Sequence, residues 1–294
     1  MSRRTSQVFV SMNLMTTTQI FKESIRIILL HPTHFNSLSI FLFSPLPISL
    51  FLSHFLIHHF PKITSSTISL AHNFFGYSMP IFLSKISIQM ILCFPSFITF
   101  SLLGRAATVQ AVSDIYRGVY LDGRRLFLRS GLSWIKLLYT TFWEFLIVLG
   151  LIGVLVASLA ILPKMVEKCG VTSEMLGFGG VLVFLGIPLC VIFAHVMVVG
   201  NLARVIAVLE SECCGFESLL KAKTLMEGKR QTALIMALLS NVGFRMVECV
   251  FEFRMCRGIN LWEVPLLVSM YSLVLVFDTV MNVVFYYACK SLND

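Results

Sequence analysis

Long stretches without a charged residue constrain this chain more than any other feature. Residues 38–61, 86–104 and 175–203 contain no Asp, Glu, Lys or Arg. A helix needs about 20 apolar residues to cross the hydrocarbon core of a bilayer, and each stretch is about that long or longer. The whole chain is 57% hydrophobic and only 13% charged, whereas soluble domains contain about 25% charged residues. These features predict an integral membrane protein and exclude a soluble globular domain.

The apolar pattern predicts an all-α membrane protein, a six-transmembrane-helix bundle with cytosolic amphipathic helices. Pro45 and Pro47 predict a kink or a shortening of the first span. The fifth span reaches residue 250 only if Arg245 and Glu248 pair or extend toward the membrane surface. We expect residues 1–16 to form a flexible tail and residues 17–294 to form one domain with spans at about 38–61, 83–104, 137–162, 178–200, 231–250 and 264–287.

The distribution of basic residues predicts the orientation of this bundle. With both termini in the cytosol, 16 of the 23 Lys and Arg residues lie on the cytosolic side. Lys and Arg concentrate in the cytoplasmic loops of membrane proteins. This rule explains the net charge of +8, so no nucleic-acid partner is predicted. We expect a multi-pass protein of the endomembrane system or plasma membrane with both termini cytosolic.

A segment of different character precedes the first span. Apolar residues recur at helical spacing in residues 17–31, and Lys22 and Arg26 lie on the other side of the predicted helix. The His31-Pro32 pair should end this helix. Two interpretations stay open: an amphipathic helix in the membrane interface, or a helix that packs under the bundle.

Two segments of the chain resemble each other and predict an internal repeat. The sequence AxVxAVxD ending at Asp114 matches AxVxAVxE ending at Glu210, with every position offset by 96 residues. A glycine follows each acid, at Gly118 and Gly215, and should break the helix there. Asp114 and Glu210 could each cap the next helix or pair with its basic residues. The alternative is a chance match of short apolar residues.

These segments also carry a resemblance to known proteins. LARVIAVLESECCGFESLLKAKTLMEGKRQTAL, AVSDIYRG and Trp134-Ile-Lys136 resemble a group of plant multi-pass membrane proteins without an assigned activity. More distantly, the His31-Pro32 element, the proline-containing first span and Asp114-Ile-Tyr116-Arg-Gly118 are similar to the membrane domain fused to some bacterial glycerophosphodiester phosphodiesterases. The phosphodiesterase part is absent, so the resemblance implies a six-helix bundle and transfers no catalytic residue.

Polar residues inside the predicted spans are the strongest candidates for a site. Glu144 and Asp278 lie about 12–13 Å from the cytosolic ends of their spans, and His195 and Asn241 lie in two further spans. Charged groups at this depth are costly and usually face the bundle interior or a wet cavity. One interpretation is a site for a proton or a small polar solute. The other is hydrogen bonding between helices, with one of the acids neutral or paired with His195.

Two surface features complete the candidates. Basic clusters beside membrane spans attract anionic lipid head groups, and the chain has two such clusters: Arg117, Arg124, Arg125 and Arg129, and Lys221, Lys223, Lys229 and Arg230. Cys213 and Cys214 lie close to the predicted membrane surface and are candidates for S-palmitoylation.

The sequence therefore favours a non-enzymatic membrane protein that organises lipids or partner proteins. No nucleotide-binding, serine-hydrolase or zinc-protease motif is present, and we expect no cofactor and no metal site. Expected partners are the bilayer, its anionic head groups, and other proteins or a second copy of the chain. A small-solute or proton-coupled transporter that uses Glu144, His195 and Asp278 is the alternative.

Overall fold

The structure is a computed structural model that describes residues 16–59, 91, 93–120, 122–168, 176–210, 213–257, 260 and 262–293. These residues are almost entirely helical and contain no strand, which confirms the all-α fold class. The predicted N-terminal tail lies outside them, apart from Thr16. The helices are α1 (Thr17–Leu30), α2 (Pro32–Leu38), α3 (Pro45–His59), α4 (Leu102–Arg117), α5 (Gly123–Lys168), α6 (Leu176–Leu209), α7 (Phe216–Leu225), α8 (Arg230–Arg257) and α9 (Glu263–Asn293).

The chain divides into two compact units, each of which is described by itself. Among the described residues, the larger unit contains those within Met15–Trp134 and Leu238–Val284, and the smaller unit contains those within Ile135–Ala237 and Phe285–Asp294.

In the larger unit, α1 forms as the sequence predicts. Thr16 and Gln19 form a reciprocal capping box that satisfies backbone N–H groups at the start of the helix. Ile20, Ser24 and Ile27 are buried, since positions four and three residues apart lie on one helical face. His31 ends the helix directly before Pro32. This burial supports packing of α1 against the protein, although Leu29 and Leu30 at its end are exposed.

The first predicted span is bent. Residues Ser39–Phe43 form a π-helical turn between α2 and α3, with the backbone N–H of Ser44 bonded to the carbonyl of Ser39. Pro45 has no N–H to donate, so the regular hydrogen-bond ladder cannot continue through it. The segments Pro32–Phe43 and Pro45–Leu56 consequently meet at 44°, which confirms the predicted kink. Gly104 lets the ring of Phe43 approach α4, since an added Cβ would lie 3.0 Å from that ring.

Glycine ends α4 where the sequence predicts a break. Gly118 has φ 68°, and its N–H bonds to the carbonyl of Ile115 while that of Val119 bonds to Asp114. This pair of hydrogen bonds is a Schellman motif, in which the left-handed residue is usually glycine.

In the smaller unit, Gly215 occupies the matching position between α6 and α7, with φ 65°. Its N–H donates to the hydroxyl of Thr140 on α5 at 3.0 Å, and Ser218 lies 3.4 Å from the same hydroxyl. A side chain at Gly215 would overlap the ring of Tyr139. The turn therefore packs directly on α5.

Four described helical segments are long and apolar enough to cross a membrane: Gly123–Ser158, Gly186–Leu209, Arg230–Arg257 and Glu263–Ser291. The bent pair of α2 and α3 would be a fifth. Each of four predicted spans thus overlaps one of these helical segments, although the bounds differ from those predicted. The predicted span at 83–104 lies largely outside the described residues, which resume at 93.

The outer faces of these helices fit a lipid environment. Leu132, Ile135, Phe142 and Phe145 on α5 are each more than half exposed. Soluble monomers rarely present contiguous apolar surface on this scale. The helices are therefore those of an integral membrane protein. The basic segment and the third predicted span, which the sequence treats separately, form one continuous helix of 46 residues.

Candidate functional site

The two acids inside the candidate spans are each paired with an arginine. Glu144 on α5 lies in the smaller unit and Asp278 on α9 lies in the larger unit, and both are buried. Each carboxylate contacts a guanidinium group from a different helix of the same unit. These two ion pairs, named the Glu144 pair and the Asp278 pair below, are two separate candidate sites, one in each unit.

The Glu144 pair joins α5 to α6. Arg204 Nη2 lies 3.5 Å from Glu144 Oε1, and both side chains are almost fully shielded from solvent. Arg204 Nε also donates to the carbonyl of Gly200 at 3.3 Å, and its Nη2 donates to the side chain of Asn201. Gly200 is required at this point, because a Cβ there would overlap the Glu144 carboxylate.

The Asp278 pair joins α4 to α9. Arg105 Nη1 lies 3.7 Å from Asp278 Oδ2, and Asp278 is again the more deeply buried partner. Asn282, one turn further along α9, donates to Asp278 Oδ1 at 3.2 Å. The carboxylate is thus held from two sides, by a charge on another helix and by an amide on its own.

Such pairs have a large energetic effect when they are broken. Removing one partner of a buried ion pair costs about 3–5 kcal/mol, because the remaining charge is left without compensation. Glu144 Oε2 is buried and has no hydrogen-bond partner among the described residues, so Arg204 is its main stabilising contact. The pairs link helices within each unit, which agrees with the helix-to-helix interpretation of the polar residues.

The other two residues of the predicted cluster are placed differently. His195 is half-buried on α6, in the smaller unit, and Asn241 is exposed on α8, in the larger unit. The salt-bridge partners of the two acids are arginines, whereas the sequence suggested His195 as a partner for one of them. The missed residues are therefore Arg105 and Arg204. No local pattern in the sequence singles them out, because a basic residue is expected at the cytosolic end of a span in any case.

The acids of the predicted repeat form salt bridges near the ends of α4 and α6. Arg129 Nη1 lies 3.3 Å from Asp114 Oδ1 in the larger unit. In the smaller unit, Lys221 pairs with Glu210 Oε2, and the hydroxyl of Tyr286 donates to Glu210 Oε1 at 2.9 Å. Pairing, one of the two arrangements that the sequence left open, is what the structure shows.

Glu210 has a perturbed acidity that follows from these contacts. Burial by itself disfavours the charged carboxylate, but the hydrogen bonds from Lys221 and Tyr286 and the charge of Lys221 outweigh it. The pKa of Glu210 is therefore lowered from its ordinary value of 4.5. Glu210 directly follows α6 and lies outside the candidate spans.

The two basic clusters are largely exposed to solvent. All four members of the first, Arg117, Arg124, Arg125 and Arg129, are exposed in the larger unit. In the second cluster Lys221, Lys223 and Arg230 are exposed, whereas Lys229 is half-buried and donates to the carbonyl of Ala288 at 3.2 Å. The first cluster is named the arginine group below.

The cysteine pair differs in accessibility. Cys214 is exposed, whereas Cys213 is half-buried close to Lys221 and Glu210. Burial raises the pKa of the Cys213 thiol, although Lys221 acts in the opposite direction. A raised pKa lowers the thiolate fraction and hence the nucleophilicity of Cys213. The described residues contain no group of three His, Cys, Asp or Glu side chains that could hold a metal ion.

Comparison with known proteins assigns the chain to a family. Residues 9–294 match the profile of a family described as a domain of unknown function, DUF8558. The chain belongs to the DUF8558 family. No curated protein and no solved structure matches the chain.

The ion pairs and the exposed basic residues of this DUF8558 chain are suited to linking helices and to binding anionic groups. The buried acids are compensated by arginines within their own units. Four of the exposed basic residues pair with nearby acids, namely Arg125, Arg129, Lys221 and Arg230, whereas Arg117, Arg124 and Lys223 add exposed positive charge that can attract anionic partners.

Proposed function

We propose that the DUF8558 chain is a non-enzymatic multi-pass membrane protein that organises anionic lipids, and proteins associated with them, at the cytosolic membrane surface. One observation carries this proposal. The arginine group is exposed on a segment that also exposes Tyr120, Phe127 and Leu128. Positive charge next to exposed aromatic and aliphatic side chains suits the head-group region of a bilayer, where both kinds of group are favourable.

The wider topology belongs to the same proposal. We infer six spans with both termini in the cytosol, in the endomembrane system or the plasma membrane, and a parallel internal repeat that relates Asp114 to Glu210. The positive φ of Gly118 and Gly215 and the salt bridges of both acids support the repeat. The inferred kinship with plant multi-pass proteins, and more distantly with the phosphodiesterase-associated membrane domain, supports the bundle.

Cys213 and Cys214 fit a position at the cytosolic membrane surface. We infer that Cys214 is the better S-palmitoylation candidate, because its thiol is exposed. An acyl chain on Cys214 would anchor the short connection between α6 and α7 to the membrane surface.

A lipid-retention experiment tests the proposal. The purified protein, stripped of lipid in detergent, is exposed to equal amounts of phosphatidylcholine and phosphatidylserine, and retained lipid is quantified by mass spectrometry. We expect enrichment of phosphatidylserine in the wild type. The variant R117Q/R124Q/R125Q should lose most of this enrichment, because it removes three exposed charges and leaves the Arg129–Asp114 pair intact.

The matched control is R254Q/R257Q, which removes two exposed charges at the end of α8 and breaks the Arg254–Glu263 pair, just as the test variant breaks the Arg125–Asp122 pair. This end is predicted to lie on the opposite membrane face, so enrichment should be unchanged. Equal retention of both lipids by the wild type, or equal losses in both variants, would contradict the proposal.

A transporter that uses the buried acids is the second candidate. It is favoured by Glu144 Oε2, which is buried and lacks a hydrogen-bond partner among the described residues. Such an oxygen could accept a proton in a transport cycle. Liposomes that contain the protein and a pH-sensitive dye would show proton flux in the wild type and none in Glu144→Gln. Absence of flux in the wild type would exclude this candidate.

A further inference from the structure

An apolar cavity lies entirely within the larger unit, beside the arginine group. It has a volume of about 380 Å³ and is bounded by α2, the π-helical turn Ser39–Phe43, a second π-helical turn at Phe97–Ser101, α4 and the start of α5. Leu42, Ala107, Ala111 and Leu126 form its buried floor. The exposed rings of Phe41 and Phe127 lie at its mouth. The cavity is therefore closed by apolar groups below and open between two aromatic rings.

The lining and the size restrict what this cavity can hold. Among its lining residues, His34 and Ser37 are the only ones with polar side chains, and both are exposed. The volume falls within the range of about 300–1,000 Å³ that is usual for ligand pockets. An apolar lining of this kind suits a narrow hydrocarbon chain.

Charge next to the mouth indicates the other end of the ligand. Arg124 lies between the lining residues Gly123 and Leu126 and is exposed, whereas Arg125 lies on the opposite side of α5 and pairs with Asp122 at 3.6 Å. The segment 112–130 carries four arginines against Asp114 and Asp122, so it keeps a net positive charge. A ligand that placed a hydrocarbon chain in the cavity would therefore hold an anionic group close to these arginines.

We propose that the cavity binds one acyl chain of an anionic phospholipid, with the head group held by Arg124. This inference rests on the proposed lipid-organising function and assigns it a specific site. The apolar floor would pack against the chain by van der Waals contact, and the contact of Arg124 with the head group would supply the preference for an anionic lipid. The aromatic rings of Phe41 and Phe127 would flank the point at which the chain leaves the cavity.

Photo-crosslinking tests the site directly. The probe is phosphatidylglycerol with a diazirine on one acyl chain, added to the detergent-solubilised full-length protein, and labelled residues are located by peptide mass spectrometry. We expect labelling to concentrate on the lining segments around Phe41 and Phe127. Unlabelled phosphatidylglycerol should compete for the site, whereas phosphatidylcholine should not.

Phe127 and Leu128 are exposed to a similar degree, so substitution of each in turn provides a matched comparison. Phe127→Ser removes a ring at the mouth, whereas Leu128→Ser changes the next residue of α5, which does not line the cavity. We expect Phe127→Ser to weaken competition by phosphatidylglycerol about tenfold, equivalent to about 1.4 kcal/mol, and Leu128→Ser to leave it unchanged. Ala111→Leu should reduce labelling further by filling the floor, and Arg124→Gln should remove the preference for the anionic lipid.

The outcomes separate this inference from the proposed function. Labelling spread over lipid-facing residues such as Leu132 and Phe142, or equal effects of Phe127→Ser and Leu128→Ser, would overturn the cavity site. If phosphatidylserine retention still depends on the arginine group, the proposed function survives that result. Competition by phosphatidylcholine equal to that by phosphatidylglycerol would overturn the assignment of an anionic head group.

Discussion

Single residues decide the polarity of the interior, and the clearest case is the Glu144 pair. Arg204→Met should destabilise the protein by about 3–5 kcal/mol, because it leaves Glu144 buried without its counter-charge. The double variant E144L/R204M should recover most of that loss, since no buried charge remains. Thermal unfolding in detergent, followed by tryptophan fluorescence, measures both changes.

The control for this prediction is Arg230→Met. Arg230 pairs with Glu227 at 3.5 Å, but more than half of each side chain is exposed. Exposed ion pairs contribute little to stability. If Arg204→Met lowers the stability as little as Arg230→Met does, the Glu144 pair is not buried as the structure indicates.

The acids could be predicted from the sequence, but their partners could not. Glu144 and Asp278 are conspicuous because each stands alone among apolar residues. Arg105 and Arg204 stand at the predicted cytosolic ends of their spans, where the orientation rule already accounts for a basic residue. Spacing along one helix also cannot show which residue of another helix lies opposite. The partnerships therefore required the three-dimensional packing.

Glu210 should make stability depend on pH. Its carboxylate has a lowered pKa in the folded state, so it stabilises the fold above its ordinary value of 4.5. That contribution is lost as the pH falls through the folded-state pKa. We expect the wild type to lose stability on acidification below about pH 4.5 more steeply than Glu210→Gln, measured by thermal unfolding at a series of pH values. Parallel pH profiles for these two proteins, with Glu227→Gln as the exposed control, would contradict this role.

At the scale of elements, the glycines between helices determine how the turns are made. Gly215→Ala should destabilise the protein more than Gly118→Ala, although both have positive φ. The left-handed conformation of Gly118 costs a non-glycine residue about 1–2 kcal/mol, and Gly215, with φ 65° and ψ −127°, lies close to a region that glycine alone readily adopts. At Gly215 the new Cβ would also overlap Tyr139, whereas it meets nothing at Gly118. Denaturation in detergent compares the two.

Gly131→Ala serves as the control for the glycine prediction. Gly131 lies within α5 and has open space around its Cβ position. Alanine favours a helix interior over glycine by about 0.5–1 kcal/mol, so this variant should be neutral or stabilising. Equal losses for Gly215→Ala and Gly118→Ala would show that Tyr139 does not confine the turn.

The elements themselves show where sequence reasoning stops. The break at Gly118, the end of α1 at His31 and the bend at Pro45 all follow from residues with strong backbone preferences. The π-helical turn at Ser39–Phe43 does not, because it depends on Phe43 packing against Gly104 on another helix. Likewise, α5 continues through the predicted boundary between its basic and apolar parts. Between residues 132 and 162 the sequence contains two glycines, Gly150 and Gly153, and no proline. Helices tolerate isolated glycines, so the sequence has no signal that would end the helix at this boundary.

At the scale of the whole molecule, the sidedness of the bundle can be tested on one helix. α8 has 28 residues, so it is about 42 Å long and exceeds the roughly 30 Å hydrocarbon core. If α8 crosses the membrane, Glu227 before its start and Cys256 near its end must face different compartments. The charge distribution predicts that Glu227 is cytosolic.

Cysteine accessibility in sealed vesicles distinguishes these positions. In a cysteine-free background, one variant carries Glu227→Cys and the other retains Cys256, both of which are exposed positions. A membrane-impermeant maleimide added to the cytosolic face should label the first and not the second. Labelling of both from one side would mean that α8 lies along the membrane surface. The predicted six spans, with both termini in the cytosol, would then be wrong. Labelling of the second alone would keep the span but invert the orientation of the bundle. The arginine group would then lie on the non-cytosolic face, whereas anionic lipids are concentrated in the cytoplasmic leaflet.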